Sequence, residues 1–171
     1  MRKLLILRHA KSSWDDASLN DFDRPLNERG RRDIPLMATA LASQGLKPEL
    51  IVSSPAARAK LTAELFKQAA RWEAPLKFDQ RIYEASAGSL FSIVLELSDE
   101  ITICVLVGHN PGVEGLVRLL SGSIAFMPTA AVAVIEFDID SWSAAEPGHG
   151  RLVEVIRPKE LSQDMLTTRQ N

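Results

Sequence analysis

"LLILRHAKSSWDD", residues 4–16, opens with four aliphatic residues and then stops at Arg8-His9 with no turn residue between. The run Lys3–Leu7 does not alternate apolar with polar, which suits a strand covered on both faces. A buried strand that ends in a guanidinium and an imidazole is either leaving the core or delivering the first two groups of a site. Leu50–Ser53 and Thr102–Val107 are short apolar runs of the same kind. Between these runs lie helical patterns over Asp33–Ser43, Pro55–Arg71, Ser86–Leu97 and Pro111–Leu120. In the second of them Ser54 is positioned as an N-cap and Pro55 as the first helical residue.

Strand–helix alternation predicts an α/β fold, a three-layer α/β/α arrangement with a mostly parallel central sheet. Thr129–Asp138 and Arg151–Arg157 read as two later strands joined across the Gly/Pro-rich loop Glu146–Gly150, a hairpin at the edge of the same sheet. The tail from Pro158 is polar and is expected to be loosely ordered. One domain over residues 1–171 is expected, with its core in 1–157 and the tail in 158–171.

Composition narrows the function classes. Hydrophobic residues make up 46% and charged residues 25% of the 171, the balance of an ordinary globule, and the formal net charge is −2. That charge argues against a general nucleic-acid or anionic-membrane binder, which needs a broad basic surface. The apolar stretch after Met1-Arg2-Lys3 is too short for a signal peptide, so a cytoplasmic location is expected. Cys104 is the only cysteine and sits within an apolar run, which reads as an inert buried thiol. A cysteine-dependent phosphatase would need an arginine six positions on, where this chain has Asn110.

The charged residues fall in a pattern. In open α/β sheets the reacting groups gather at the carboxyl ends of the strands. The first strand ends at Arg8-His9, the second in "SSPAARA", which places Arg58 in the first turn of a helix, and a third in "VGHNPG", which places His109 at the same level. Two arginines and two histidines therefore meet on one rim. Arginine offers a planar fork matched to phosphate oxygens, helix N-termini add backbone N–H donors, and the strand–helix junctions near Ser12 and Pro111 would supply such donors. A neutral imidazole can attack phosphorus and hold the phosphoryl group, and a protonated second imidazole would be a further donor.

Other readings of the rim fare less well. There is no G-x-x-x-x-G-K-[ST] stretch and no G-x-G-x-x-G after the first strand. A metal site built from His9, His109 and Asp15 or Asp16 would set its cation beside the arginines. No cofactor or metal is expected. "NERGRR", residues 27–32, reads as the solvated lead-in to a helix.

"RHAKSSWDD", "DFDRPLNERGRRD", "SSPAARAKLTAE" and "VGHNPG" together resemble the histidine phosphatase superfamily, also called phosphoglycerate-mutase-like, over Lys3 to about Leu120. They are most similar to its small SixA-type phosphohistidine phosphatase branch. The resemblance implies that His9 is the phosphorylated nucleophile, that Arg8 and Arg58 bind the phosphate, and that His109 completes the pocket. Ser12 falls where the family often has a hydroxyl near the phosphate. Lys11 and Leu61 depart from the family pattern, which usually has an acidic or amide residue and a glutamine there, and this speaks against a mutase or sugar-phosphate substrate. Many members use a carboxylate from the segment after the second block as general acid. Glu84, in "IYEAS", is the candidate here, with Asp16, Asp21 and Asp23 behind it.

The function expected is a metal-independent phosphatase with a phosphohistidine intermediate. Its partner would be a phosphorylated protein, such as a histidine-phosphotransfer domain. Trp72–Glu100 holds one helix and no insertion large enough for a lid, which suits a side chain presented on a protein. A small-molecule phosphomonoesterase would want a working acid such as Glu84. A phosphate-recognising binding module would have no use for a nucleophile.

Overall fold

The computed structural model describes residues 1–170, the side chains of residues 165 and 166 excepted. In chain order the elements are β1 (Arg2–Arg8), α1 (Glu28–Ser43), β2 (Leu50–Ser53), α2 (Ala57–Ala70), β3 (Leu76–Phe78), α3 (Ala87–Leu95), β4 (Ile103–Gly108), α4 (Gly112–Ser121), β5 (Val132–Phe137), β6 (Arg151–Ile156) and α5 (Pro158–Arg169). The six strands form one sheet in the order β3-β2-β4-β1-β5-β6. Four of them, β3, β2, β4 and β1, are mutually parallel, and β5 runs antiparallel to both β1 and β6. This is the α/β arrangement with a mostly parallel sheet that the sequence predicts, with the edge hairpin where the sequence places it.

The unalternating run in β1 has a direct structural cause. Leu4 and Ile6 face a core shared with α3 and α4, whereas Leu5 and Leu7 face one shared with α1 and α2. All four are buried. Successive strand side chains point to opposite faces, so a strand with helices on both sides needs apolar residues at every position.

Two helix starts and the tail differ most from the sequence reading. Helix α1 begins at Glu28, not Asp33, because the Asn27 side chain caps it by accepting from the Gly30 amide at 2.9 Å. "NERGRR" is thus the cap and first turns of the helix rather than its lead-in. Gly30 is required there, since a Cβ would lie 2.3 Å from the Lys11 carbonyl oxygen. Helix α2 begins at Ala57, later than Pro55, and has no side-chain cap. Ser54 is engaged elsewhere, as described below. The tail is not loose: Pro158–Arg169 is helix α5, with proline in its first turn and Leu161 packed on the core beside α1 and α2. Leu161 is the apolar anchor among the described side chains of this segment, whose Leu161, Met165 and Leu166 are outnumbered by polar residues, which leaves a weak periodic signal. The three-residue edge strand β3 gave no signal either.

Candidate active site

The ends of three neighbouring strands are brought level by their register. Arg8 lies opposite Gly108, and Ser53 opposite Val107. Hydrogen bonds continue one residue past the strands, from the His9 amide to the Gly108 carbonyl at 3.0 Å and from the Ser54 amide to the Val107 carbonyl at 3.0 Å. His9, Ser54 and His109 are therefore held on one edge. All three are buried, together with Arg58. The His9 and His109 rings stand 5.1 Å apart, centroid to centroid.

His9 is held in one tautomer. Its Nδ1 lies 2.8 Å from the Ala10 carbonyl oxygen, which can only accept, so Nδ1 carries the proton and Nε2 keeps its lone pair. Burial pushes the ring's pKa down to about 3. The bond to Ala10 opposes this, and His109, Arg58 and Arg8 add to it. At neutral pH the ring is a neutral base. The Ala10 peptide is fixed in turn, its amide donating to Thr62 Oγ1 at 2.9 Å while the Thr62 hydroxyl donates to the Arg58 carbonyl at 2.6 Å. One residue of α2 thus ties the loop behind His9 to the helix that carries Arg58.

His109 is neutral for similar reasons, its pKa lowered to about 4 by burial first, then by Arg58 against the opposing charge of Asp21, and by Arg8. Its Nε2 is 2.8 Å from Ser54 Oγ, and its Nδ1 is buried without a partner among the described residues. The Tyr83 ring packs edge-on against it at 5.6 Å.

The arginines are braced from two directions. Arg8 donates to the Met127 carbonyl at 3.0 Å. Met127 is in turn fixed by Glu114, which accepts from its amide at 2.8 Å and from Asn110 Nδ2 at 2.9 Å. Arg8 Nε is buried with no partner among the described residues. Burial lowers the Arg8 pKa, with Glu114 opposing and Arg58 adding, yet a guanidinium stays charged. Arg58 donates to the Asp21 carbonyl at 2.7 Å and to its carboxylate at 2.9 Å. Asp21 also accepts from the Tyr83 hydroxyl at 2.7 Å and from Arg24 at 3.1 Å. Those donors, Tyr83 foremost, hold the Asp21 carboxyl below its ordinary range, and the same bond pushes the Tyr83 phenol up to about 12.

The structure thus brings Arg8, His9, Arg58 and His109 into one cluster, joins Asp21 to it through Arg58, and sets Ser12, Glu84, Asp16 and Asp23 apart. Ser12 is buried nearby, but its hydroxyl accepts from Arg24 and its backbone bridges to Leu26. Glu84 is exposed at a backbone φ of +54°, and its carboxylate enters no hydrogen bond or ion pair among the described residues. Asp16 is exposed and bonds its own Ser18, and Asp23 is exposed too. Cys104 is buried in the core with its thiol pushed up to about 12 by burial, well away from thiolate chemistry. Sequence reasoning missed Thr62, Tyr83 and Glu114, and gave Ser54 and Asp21 other roles. Thr62 had a usable signal, since it stands four residues after Arg58 and so on the same helix face.

The cluster has the parts for phosphoryl transfer: a neutral imidazole with a free lone pair, two guanidinium groups and a second buried imidazole. A family model of the histidine phosphatase superfamily (branch 1) matches residues 4–98. An uncharacterized chloroplastic protein of Arabidopsis thaliana is 34% identical over 170 residues, covering 92% of this chain and 78% of that protein. Among solved structures, a protein of Agrobacterium tumefaciens assigned as the phosphohistidine phosphatase SixA superposes with a TM-score of 0.80 at 27% identity, over 92% of this chain and 98% of the other. The fold is also that of the protein histidine phosphatase SixA in complex with tungstate, with a TM-score of 0.81 at 24% identity over 93% and 99% of the two chains.

Proposed function

The chain belongs to the histidine phosphatase superfamily and is a phosphatase, and on that premise we propose that it hydrolyses phosphohistidine on a protein through a phosphoryl intermediate on His9. Nε2 of His9 attacks phosphorus while Arg8 and Arg58 neutralise the phosphoryl oxygens. The new P–N bond forms as the bond to the substrate's imidazole breaks, and that electron pair leaves on the substrate ring. With its other nitrogen protonated, the substrate ring departs neutral. Water then attacks the phosphorus on His9, the P–Nε2 pair returns to the ring, and inorganic phosphate is released. The Ala10 carbonyl holds the Nδ1 proton throughout, stabilising the ring while it is phosphorylated.

The choice of substrate is carried by Asp21. The carboxylate beside Arg58 accepts from Arg58, Arg24 and Tyr83 and is kept ionised, so it serves as an acceptor rather than a proton donor. Glu114, the acid beside Arg8, is likewise used as an acceptor. An alkoxide leaving group needs a general acid. An imidazole, with a reference pKa of about 6.5, does not.

The rim supports a protein as the bearer of that imidazole. Trp14 is 72% exposed, with the Arg24 guanidinium 3.3 Å from its ring centroid, and Phe126 is 69% exposed. Trp14 thereby connects through Arg24 and Asp21 to Arg58, and Phe126 precedes the Met127 that holds Arg8. Trp14 and Phe126, exposed beside the phosphate site, offer apolar contact to another protein surface. A substrate panel tests the reading. The kcat/KM for a protein-borne phosphohistidine should exceed those for sugar phosphates, whose alkoxide leaving groups need an acid, by at least about 10², the lower end of what a missing general acid costs an ester. p-Nitrophenyl phosphate, whose phenolate leaves without an acid, serves as the control that the site is active. A preference for the sugar phosphates would favour a phosphomonoesterase and overturn the reading.

A further inference from the structure

Ser54 stands at the carboxyl end of β2 with no exposed surface, and its hydroxyl has two neighbours. The Ala56 amide donates to Oγ at 3.2 Å, and Nε2 of His109 lies 2.8 Å away. A hydroxyl has one proton to give and two lone pairs to fill. The amide occupies one lone pair. The proton needs an acceptor, and among the described residues the one within hydrogen-bond reach of Oγ is Nε2, provided that nitrogen is bare. Were Nε2 protonated, it would donate to Oγ and leave the serine proton unpaired where water does not reach, an arrangement buried polar groups avoid. A neutral imidazole with a bare Nε2 carries its proton on Nδ1, and Nδ1 of His109 is the buried atom left without a protein partner.

We propose that Ser54 is a positioning residue that holds His109 in the Nδ1–H tautomer, so that a neutral His109 donates a hydrogen bond to the phosphoryl group transferred to His9. The inference rests on reading the His9–His109 cluster as the phosphate site. It also corrects an expectation of the sequence, in which the second histidine donates by being protonated. Burial and the two arginines keep His109 neutral, with a pKa of about 4. A third cation beside Arg8 and Arg58 would be repelled, whereas a neutral N–H adds a donor without adding charge. The other tautomer would turn a lone pair toward the phosphoryl oxygens.

Long-range ¹H–¹⁵N correlation spectra of the ring nitrogens test this directly. His109 is assigned by its loss in His109→Asn. In wild-type protein near neutral pH, His109 should show a protonated Nδ1 and a bare Nε2, and inorganic phosphate should shift the Nδ1 resonance. Ser54→Ala should move the proton wholly or partly to Nε2 and raise the inhibition constant for inorganic phosphate about three- to tenfold, the worth of one neutral hydrogen bond. Ser54→Thr, which keeps the hydroxyl, should retain the wild-type tautomer. A wild-type His109 protonated on Nε2 would overturn the proposal, whether or not the variants fold, and so would an unchanged tautomer in Ser54→Ala. If phosphate shifts neither His9 nor His109, the phosphate-site reading fails, and the donor role fails with it.

Discussion

Thr62→Val isolates the strut behind the nucleophile. Valine has nearly the shape of threonine, so the substitution removes a hydroxyl without opening a cavity. Thr62 is fully buried, and the Ala10 amide donates to its Oγ1. In the variant that amide has no acceptor, and an unsatisfied buried donor costs about 1–3 kcal/mol. The Arg58 carbonyl, which also receives the Thr62 hydroxyl, lies inside α2 and keeps its helical hydrogen bond. The penalty is therefore that of one orphaned group. At about 2–4 °C per kcal/mol for a chain of this size, the thermal midpoint should fall by about 2–12 °C. The kinetic effect should be separable, because the Ala10 carbonyl orients His9. We expect kcat to fall more than KM rises, since the nucleophile is misaligned while both arginines remain. Circular-dichroism melts and steady-state kinetics on phosphohistidine substrate measure the two, with Thr62→Ser as the variant that keeps the hydroxyl. A Thr62→Val protein within about 1 °C of wild type and with normal kcat would refute the reasoning.

Arg58→Lys keeps the charge and loses the fork that holds Asp21 and that the proposal sets on the phosphate, so activity should fall severely; near-normal kinetics would mean that a point charge suffices. Glu84→Gln should barely change phosphohistidine hydrolysis, because the carboxylate is exposed and the leaving group needs no acid; a loss of about 10² or more would show that it reaches the reaction. His9 and His109 are held neutral with pKa values of about 3 and 4, below an unfolded value of about 6.5. Between those limits the unfolded chain binds more protons, so stability is fully present above about pH 6.5 and declines as pH falls toward 3–4. Denaturant melts across that window should show a shallower decline for His109→Gln than for wild type, and equal slopes would contradict the burial assigned to His109.

Much of this was legible because strand and helix periods carry it. The two-sided burial of β1 is written in Leu4–Leu7, and the level of Arg8, Arg58 and His109 follows from where their strands stop. What was not legible depends on tertiary partners. Ser54 before a proline-opened helix looks like a cap, and only the fold shows that its hydroxyl belongs to His109, one residue past β4. Asp21 lies 37 residues from Arg58 in a polar loop where nothing distinguishes it from Asp16 or Asp23. Among the described side chains of helix α5, Leu161 packs against the core, an anchor that a mostly polar sequence marks only weakly.

The phosphoenzyme tests the central claim most directly. Protein carrying ³²P-phosphohistidine is mixed with the enzyme and quenched rapidly, and the label is located by its acid and base stability and by mass spectrometry. The prediction is an acid-labile, base-stable phosphate on Nε2 of His9 in the wild-type enzyme, absent from a folded His9→Ala variant that also fails to turn over. Label on any other residue, or wild-type labelling in His9→Ala, would contradict it.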